Sequence, residues 1–413
     1  MFETTGRERR RRLWKSGGAP RHLVATAVAT ALVAASGGPA VAADTEWQQR
    51  VSQLKAPAAD EVVFAAVGDA HLKQPISSST DPGLQSLFDV LRASDLFFLN
   101  LEGVMTDRGF PDQKVVSLAS PSMVEEFKWA GTDIVSLGNN HQMDYFATGM
   151  QQTRATLDAA GIRHAGSGNN IAEAFQYTTV EKGSFKVALV SALVSPNLEL
   201  TMAATESSAG VAQIRGMKVR RPDGKVVLAP NEDDLARLEA SIKEARKAAP
   251  IVAVSLHYHW NRDGQVDADG RQLVARAAID AGANMVLGQG PHEFNGIEFY
   301  KGKLIAYGLG NFTFQMNPAH FALFPEVSAM FNKYSNDPRM HESIALRLTM
   351  STAGQLRRVE ILPVEVTKEG NPHLAANERA DQILDRIGAL SKPFGTRVSR
   401  QNWYSVVELP NPK

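Results

Sequence analysis

Seven short apolar runs, most of them ending in a cluster of polar side chains, set the limits on what this chain can fold into. Glu61–Val67, Asp95–Leu99, Asp133–Leu137, Lys186–Val194, Ile251–Leu256, Asn284–Leu287 and Lys303–Tyr307 are too continuously apolar for strands with one wet face. Runs of that kind suit the inside of a sheet covered on both sides. Between them, Pro82–Ala93, Ser122–Ala130, Phe146–Ala160, Glu232–Ala249 and Asp267–Ala281 carry helical spacing, and several end at Gly. The alternation predicts an α/β core. Glu342–Met350 and Leu356–Val366 alternate more cleanly around residues 351–355, and predict a late antiparallel hairpin at an edge or in a second sheet. Ala376–Leu390 predicts a terminal helix.

Two stretches show no clear period, Ser195–Asn231 and Gln315–His341. The second holds Phe321, Phe324, Phe331 and Tyr334, which suit a lid, a partner contact or a local core. The expected organisation is a leader over 1–43, a linker over 44–60, a core over 61–317, an insertion or lid over 318–341, and a hairpin and helix over 342–413 that complete the domain.

The leader is expected from composition. Arg7, Arg9–Arg12, Lys15 and Arg21 precede an apolar stretch, Leu23–Ala35, and Ala40-Val41-Ala42 has the spacing of a signal-peptidase site. These features predict export to the periplasm or cell surface, with an uncleaved leader as the one expected membrane contact. With residues 1–43 removed, 37 Lys/Arg stand against 42 Asp/Glu, a formal charge of −5, which argues against nucleic acid as a partner. The chain contains no Cys, so an exported form relies on core packing and not on disulfides.

Chemistry is concentrated where the strands should stop. Asp69 and His71 follow the first run, Asn100 and Glu102 the second, and Asn139, Asn140, His141 and Asp144 the third. His257 and His259 follow the fifth, and His292 the sixth. Ligands of open α/β sheets bind beyond the carboxyl ends of the strands, so these residues are predicted to share one rim. A single Asp after a strand is more often a helix cap than a ligand. Here five of the ten His sit at such junctions, and that convergence favours a site. Mixed imidazole and oxygen donors suit Zn, Mn or Fe rather than Ca. Glu102 or Asp69 serves as a carboxylate bridging two ions, and His141 beside Asp144 is the candidate general acid. Asn139, Trp260, Gln289 and Asn311 are the candidate substrate-binding residues.

The motifs GDAHL, FLNLEGVMTD, SLGNNHQMDY, SLHYH and IEFYKGKLIAYGLGNFTF occur in this order between Glu61 and Phe314. Together they resemble the CapA family of poly-γ-glutamate capsule biosynthesis proteins, whose domain is similar to calcineurin-like metallophosphatases. The resemblance implies a four-layer α-β-β-α sandwich. It also implies a metal pocket built from Asp69, Glu102, Asn140, His141, His257, His259 and His292, to which His71 adds a D-x-H pair. The chain departs from the pattern at Gln289, where GHxPH has His, so one-metal and two-metal centres both stay open. The implied function is capsule or exopolymer biosynthesis with a metal-dependent, hydrolase-type site acting on an anionic polymer or phosphoester, with capsule-export proteins as partners. Two further readings remain: a non-catalytic polymer-binding or export-assembly protein, and a general exported metallophosphoesterase.

Overall fold

A computed structural model describes residues 46–111, 117–183, 185–195, 203–220, 222–224, 226–258, 268–315 and 336–410. Two large sheets dominate these residues. In the first, Glu61–His71 lies at the centre. Leu96–Leu101, Ile134–Ser136 and Arg163–Ala165 follow outward from it in parallel, and Glu342–Ser351 and then Leu356–Val366 flank its other side in antiparallel fashion. The second sheet runs Val226–Pro230, Gln213–Arg220, Phe185–Ser195, Ile251–Tyr258, Met285–Gln289, Lys303–Ala306, Ile297–Tyr300, with parallel pairing through its middle.

The period-two alternation of each strand sorts its side chains between two faces. Phe64, Leu96, Phe98 and Ile134 of the first sheet share one buried cluster with Val187, Leu189, Ile251, Ala253, Met285 and Leu287 of the second. The opposite face of the first sheet, including Ala65, Val67, Phe97 and Leu99, packs on helices Pro82–Arg92, Val124–Trp129 and Phe146–Ala160 through Leu84, Leu87, Phe88, Phe127 and Leu157. The opposite face of the second sheet, including Val190, Val252 and Val254, packs on Glu232–Ala248 and Ala268–Asp280 through Leu238, Ile242, Val274 and Ala278. These memberships give the layer order helix, sheet, sheet, helix. Helix Asn377–Ser391 adds Ile383, Leu384 and Ile387 to the cluster between the sheets.

Several expectations change. The late hairpin is neither an edge nor part of a second sheet: Glu342–Ser351 inserts between Glu61–His71 and Leu356–Val366, because its even positions, Ile344 to Met350, are needed in the core between the sheets. Within the aperiodic Ser195–Asn231, Gln213–Arg220 and Val226–Pro230 extend the second sheet. The expected linker is in part a packed element, since residues 46–51 are helical and Trp47, Val51 and Leu54 pack on the outer cluster of the first sheet. Trp403 Nε1 donates to the Arg50 carbonyl at 2.7 Å, which fastens this segment to the C-terminal strands. Residues 1–45 and 316–335 lie outside the described residues, and with them the leader and the four aromatics of the expected lid. Among the described residues, no helix is long and apolar enough to cross a membrane.

Candidate metal centre

Towards the carboxyl ends of the parallel strands the layer between the sheets turns from apolar to polar. On Ile251–Tyr258 the inward face reads Ile251, Ala253, Ser255, His257, and on Met285–Gln289 it reads Met285, Leu287, Gln289. Ser136 of the first sheet reaches Ser191 of the second, Oγ to Oγ at 2.7 Å. Asp69 needs a further device to join this layer, because alternation from Phe64 and Ala66 would point it outward. The register against Leu96–Leu101 breaks between Ala66 and Asp69, after which Asp69 pairs with Asn100. A one-residue slip turns a side chain to the other face. The break is packed against Gly310, and a Cβ on Gly68 would stand 1.8 Å from the Gly310 carbonyl oxygen, so only glycine fits there.

The donors converge on Glu102, which is 1% exposed. Its Oε2 lies 2.9 Å from His71 Nε2 and 3.8 Å from His292 Nδ1, while its Oε1 lies 3.4 Å from His257 Nε2. Two groups result, His71–Glu102–His292 and Asp69–Glu102–His257, each with one ligand atom per residue and all three atoms within 4.8 Å of one another. Tetrahedral coordination at 2.0–2.1 Å spaces ligand atoms about 3.4 Å apart, so these separations need only small adjustment. Asn140 Oδ1 is buried without a hydrogen-bond partner among the described residues, which suits an oxygen ligand. The donor set and this orphaned oxygen therefore fit a divalent cation.

The supporting contacts fix each donor. Asn100 Nδ2 donates to Asp69 Oδ1 at 2.8 Å and lies 3.1 Å from His257 Nδ1. Asn139 Nδ2 donates to the Leu101 carbonyl at 2.8 Å, and its Oδ1 accepts from His141 N at 3.1 Å. At 1% exposure Asn139 is a strut and not the expected substrate contact. Asn311, also assigned to substrate, is fully buried; its Oδ1 lies 2.9 Å from His292 Nδ1 and its Nδ2 donates to the Met340 carbonyl at 3.0 Å, so it orients His292. His292 has φ +59°, a left-handed conformation that a non-glycine residue adopts at an energetic cost and that is found disproportionately at functional sites. Gln289 is fully buried and its Oε1 accepts from Ser255 Oγ at 3.0 Å, which places it behind the site rather than at a substrate surface. His259 and Trp260 lie outside the described residues.

His141 and Asp144 join the centre through a relay the sequence did not announce. His141 Nδ1 lies 2.8 Å from Asp144 Oδ2, and the same oxygen accepts from Ser117 N at 2.6 Å. Ser117 Oγ in turn lies 2.7 Å from His71 Nδ1. Ser117 follows no strand run; it precedes Leu118–Ala119, which pairs with Val104–Met105, and its carbonyl accepts from Val104 N at 2.9 Å, which sets it beside Gly103, where a Cβ would meet Ser117 Oγ at 2.5 Å. The His71 and His141 rings stand 5.8 Å apart, so the candidate acid faces the same space as the donors. Burial, followed by the charges of His141 and His292, holds the His71 imidazole well below its ordinary pKa. Burial alone would raise the Asp69 carboxyl, but its pairing with His292 and the charge of His257 outweigh this and hold it below its ordinary value. Both shifts favour the form in which each residue can bind a metal, the neutral imidazole for His71 and the carboxylate for Asp69.

Fold and rim together define a mixed α/β protein whose parallel strands carry a His–carboxylate cluster at their carboxyl ends. Residues 63–316, more than half of the chain, match the family model described as bacterial capsule synthesis protein PGA_cap, and the chain belongs to that family. It is 26% identical to the protein y4sH of Sinorhizobium fredii, over 85% of this chain and 94% of that protein. It is 27% identical to a probable polyglutamine synthesis accessory protein of Mycobacterium tuberculosis, over 74% of this chain and 75% of that one. The PGA biosynthesis protein CapA of Bacillus subtilis is 28% identical over 62% of this chain and 64% of its own length. Among solved structures, a novel phosphatase from Mycoplasma pneumoniae matches with a TM-score of 0.44 and 12% identity, over 74% of this chain and 94% of that chain.

Proposed function

We propose that this chain is an exported, metal-dependent hydrolase of capsule or exopolymer synthesis, acting on an anionic polymer or a phosphoester. Its family membership supports the capsule role, and the division of the two Glu102 oxygens between two ligand groups carries the metal reading. Asp69, His257 and Glu102 would hold one ion, and His71, His292 and Glu102 a second, with Asn140 as a further oxygen donor. Zn, Mn or Fe there supplies Lewis acidity to a phosphoryl or acyl oxygen. The chain's own residues do the rest. Asp144 Oδ2 accepts a hydrogen bond from His141 Nδ1–H, so the ring that serves as acid is the doubly protonated one, with its second proton on Nε2 for the leaving group. Ser117 N keeps Asp144 in place, and Asn139 holds the His141 backbone. Capsule-export proteins are the proposed partners, and the leader is the proposed route out of the cytoplasm.

Plasma mass spectrometry on protein purified without a His tag, beside a His257→Ala/His292→Ala variant, tests this reading. About two Zn, Mn or Fe per chain, lost in the variant, is the expected result. A metal-free wild-type protein that cleaves neither phosphoesters nor polymer would sink it and put the polymer-binding reading first.

A further inference from the structure

A second polar concavity lies away from the rim, beside the first residue of the strand whose far end carries Asp69. Eight residues at 3.3 Å each separate the two by about 26 Å. The cavity has a volume of about 130 Å³, and Lys55, Glu61, Thr349, Arg357, Arg358 and Val406 are among its lining. At ~30 Å³ per liquid water this is room for about four waters, or for one tetrahedral oxyanion.

Three separate elements bring donors to it. Strand Leu356–Val366 bulges where Thr349 pairs with Arg358 and Met350 with Leu356, leaving Arg357 as the extra residue. A bulge re-aims a side chain, and here Arg357 and Arg358 line the same cavity. Lys55 enters from the packed N-terminal segment. Thr349 is 3% exposed and its Oγ1 is buried without a hydrogen-bond partner. Such an orphan carries a free-energy penalty unless something fills it. The carboxylates nearby are already engaged. Glu360 takes Arg347, Arg358 Nε at 2.8 Å and Lys55 N at 3.4 Å, and Glu61 Oε2 accepts from Ala58 N at 3.0 Å. Among the described residues, the Lys55 ammonium and the Arg357 guanidinium make no ion pair. The lining itself therefore carries three cations, Lys55, Arg357 and Arg358, and one carboxylate, Glu61.

We propose that this cavity binds a phosphate group, held by Lys55, Arg357 and Arg358 with Thr349 Oγ1 as a fourth donor. The excess of two positive charges suits a dianion, and donors arriving from several sides suit a tetrahedral group better than a planar carboxylate. The site is independent of the metal reading. Isothermal titration of the metal-stripped protein with inorganic phosphate tests it, with Lys55→Gln/Arg357→Gln and Thr349→Val as variants. Saturable binding to the wild type is expected, weakened at least tenfold in the double variant and severalfold in Thr349→Val. Thr349→Val should melt no lower than the wild type, since it removes an unpartnered hydroxyl. Flotation with phosphatidylcholine vesicles, with and without phosphatidic acid, separates the sources. Flotation that needs both phosphatidic acid and the two cations assigns the group to a lipid headgroup, and variant-sensitive titration without flotation assigns it to free phosphate. Equal phosphate binding by wild type and double variant overturns the site, as does an absence of both titration and flotation. Citrate binding more tightly than phosphate overturns the choice of ligand.

Discussion

Ser117→Ala probes the proposed centre without removing a ligand. Ser117 Oγ stands 2.7 Å from His71 Nδ1, while His71 Nε2 faces Glu102. Deleting the hydroxyl leaves a buried imidazole nitrogen without this partner, which costs ~1–3 kcal/mol. Loss of an outer hydrogen bond to a metal-ligating His lowers metal affinity about 10–100-fold, or ~1.4–2.7 kcal/mol at 1.36 kcal/mol per decade. The first figure is a cost to the stability of the fold and the second a loss of metal affinity. The effect should be confined to one ion, because His257 and Asp69 are held by Asn100 and not by Ser117. The Ser117 backbone N–H still serves Asp144 in the variant. Competition of metal-stripped protein against a chromophoric chelator, fitted to two sites, should show one affinity reduced 10–100-fold and the other changed less than about threefold. Glu102→Gln, which removes the shared carboxylate charge, should weaken both. Equal loss at both sites in Ser117→Ala, or no loss at either, would refute the division of donors around Glu102.

Three further outcomes are expected. Asp144→Asn should lower kcat about 10²–10⁴-fold on any ester the wild type cleaves, at unchanged metal content, and an unchanged kcat removes His141 as the acid. In metal-free protein the depressed His71 pKa means that the native state binds fewer protons than the unfolded one, so stability falls as pH drops below about 6.5. The urea midpoint should be lower at pH 5.5 than at pH 7.5, and less so in His71→Asn; a midpoint that rises on acidification contradicts the sign. Trp403→Ala should cost ~3–5 kcal/mol and expose residues 46–54 to protease, since Trp403 is 5% exposed and anchors that segment. Intact protection there would show that the N-terminal segment is held by other contacts.

Strand positions and the rim could be read from the sequence because both rest on local pattern. Continuous apolar runs marked the parallel strands, and polar residues at their ends marked where the layer between the sheets opens. What the sequence did not reveal depends on partners distant in the chain. Glu342–Ser351 reads in sequence as part of a hairpin at an edge or in a second sheet, because its own alternation says nothing about the partner strand 284 to 288 residues earlier, at Val62 to Phe64, against which it pairs. Ser117 carries no motif and gains its role from the approach of its loop to Gly103 and His71. Asn139 and Asn311 read as substrate residues because polar residues beside a motif look alike in sequence. Only their amide contacts show them to be struts.

Gln289 illustrates why a departure from a family pattern has to be weighed in three dimensions. Read in sequence, the loss of an expected His subtracts an imidazole from the centre. In the folded chain the Gln289 oxygen accepts from Ser255 Oγ, while three imidazoles, those of His71, His257 and His292, face the Asp69 and Glu102 carboxylates without it. Its Nε2, buried and unpartnered among the described residues, is a donor and so is no ligand for a cation. The position therefore subtracts a ligand without undoing either three-residue group. By this argument Gln289→His should raise affinity at the site that uses Asp69 and His257, since His257 is Gln289's register partner, and leave the His71 site unchanged.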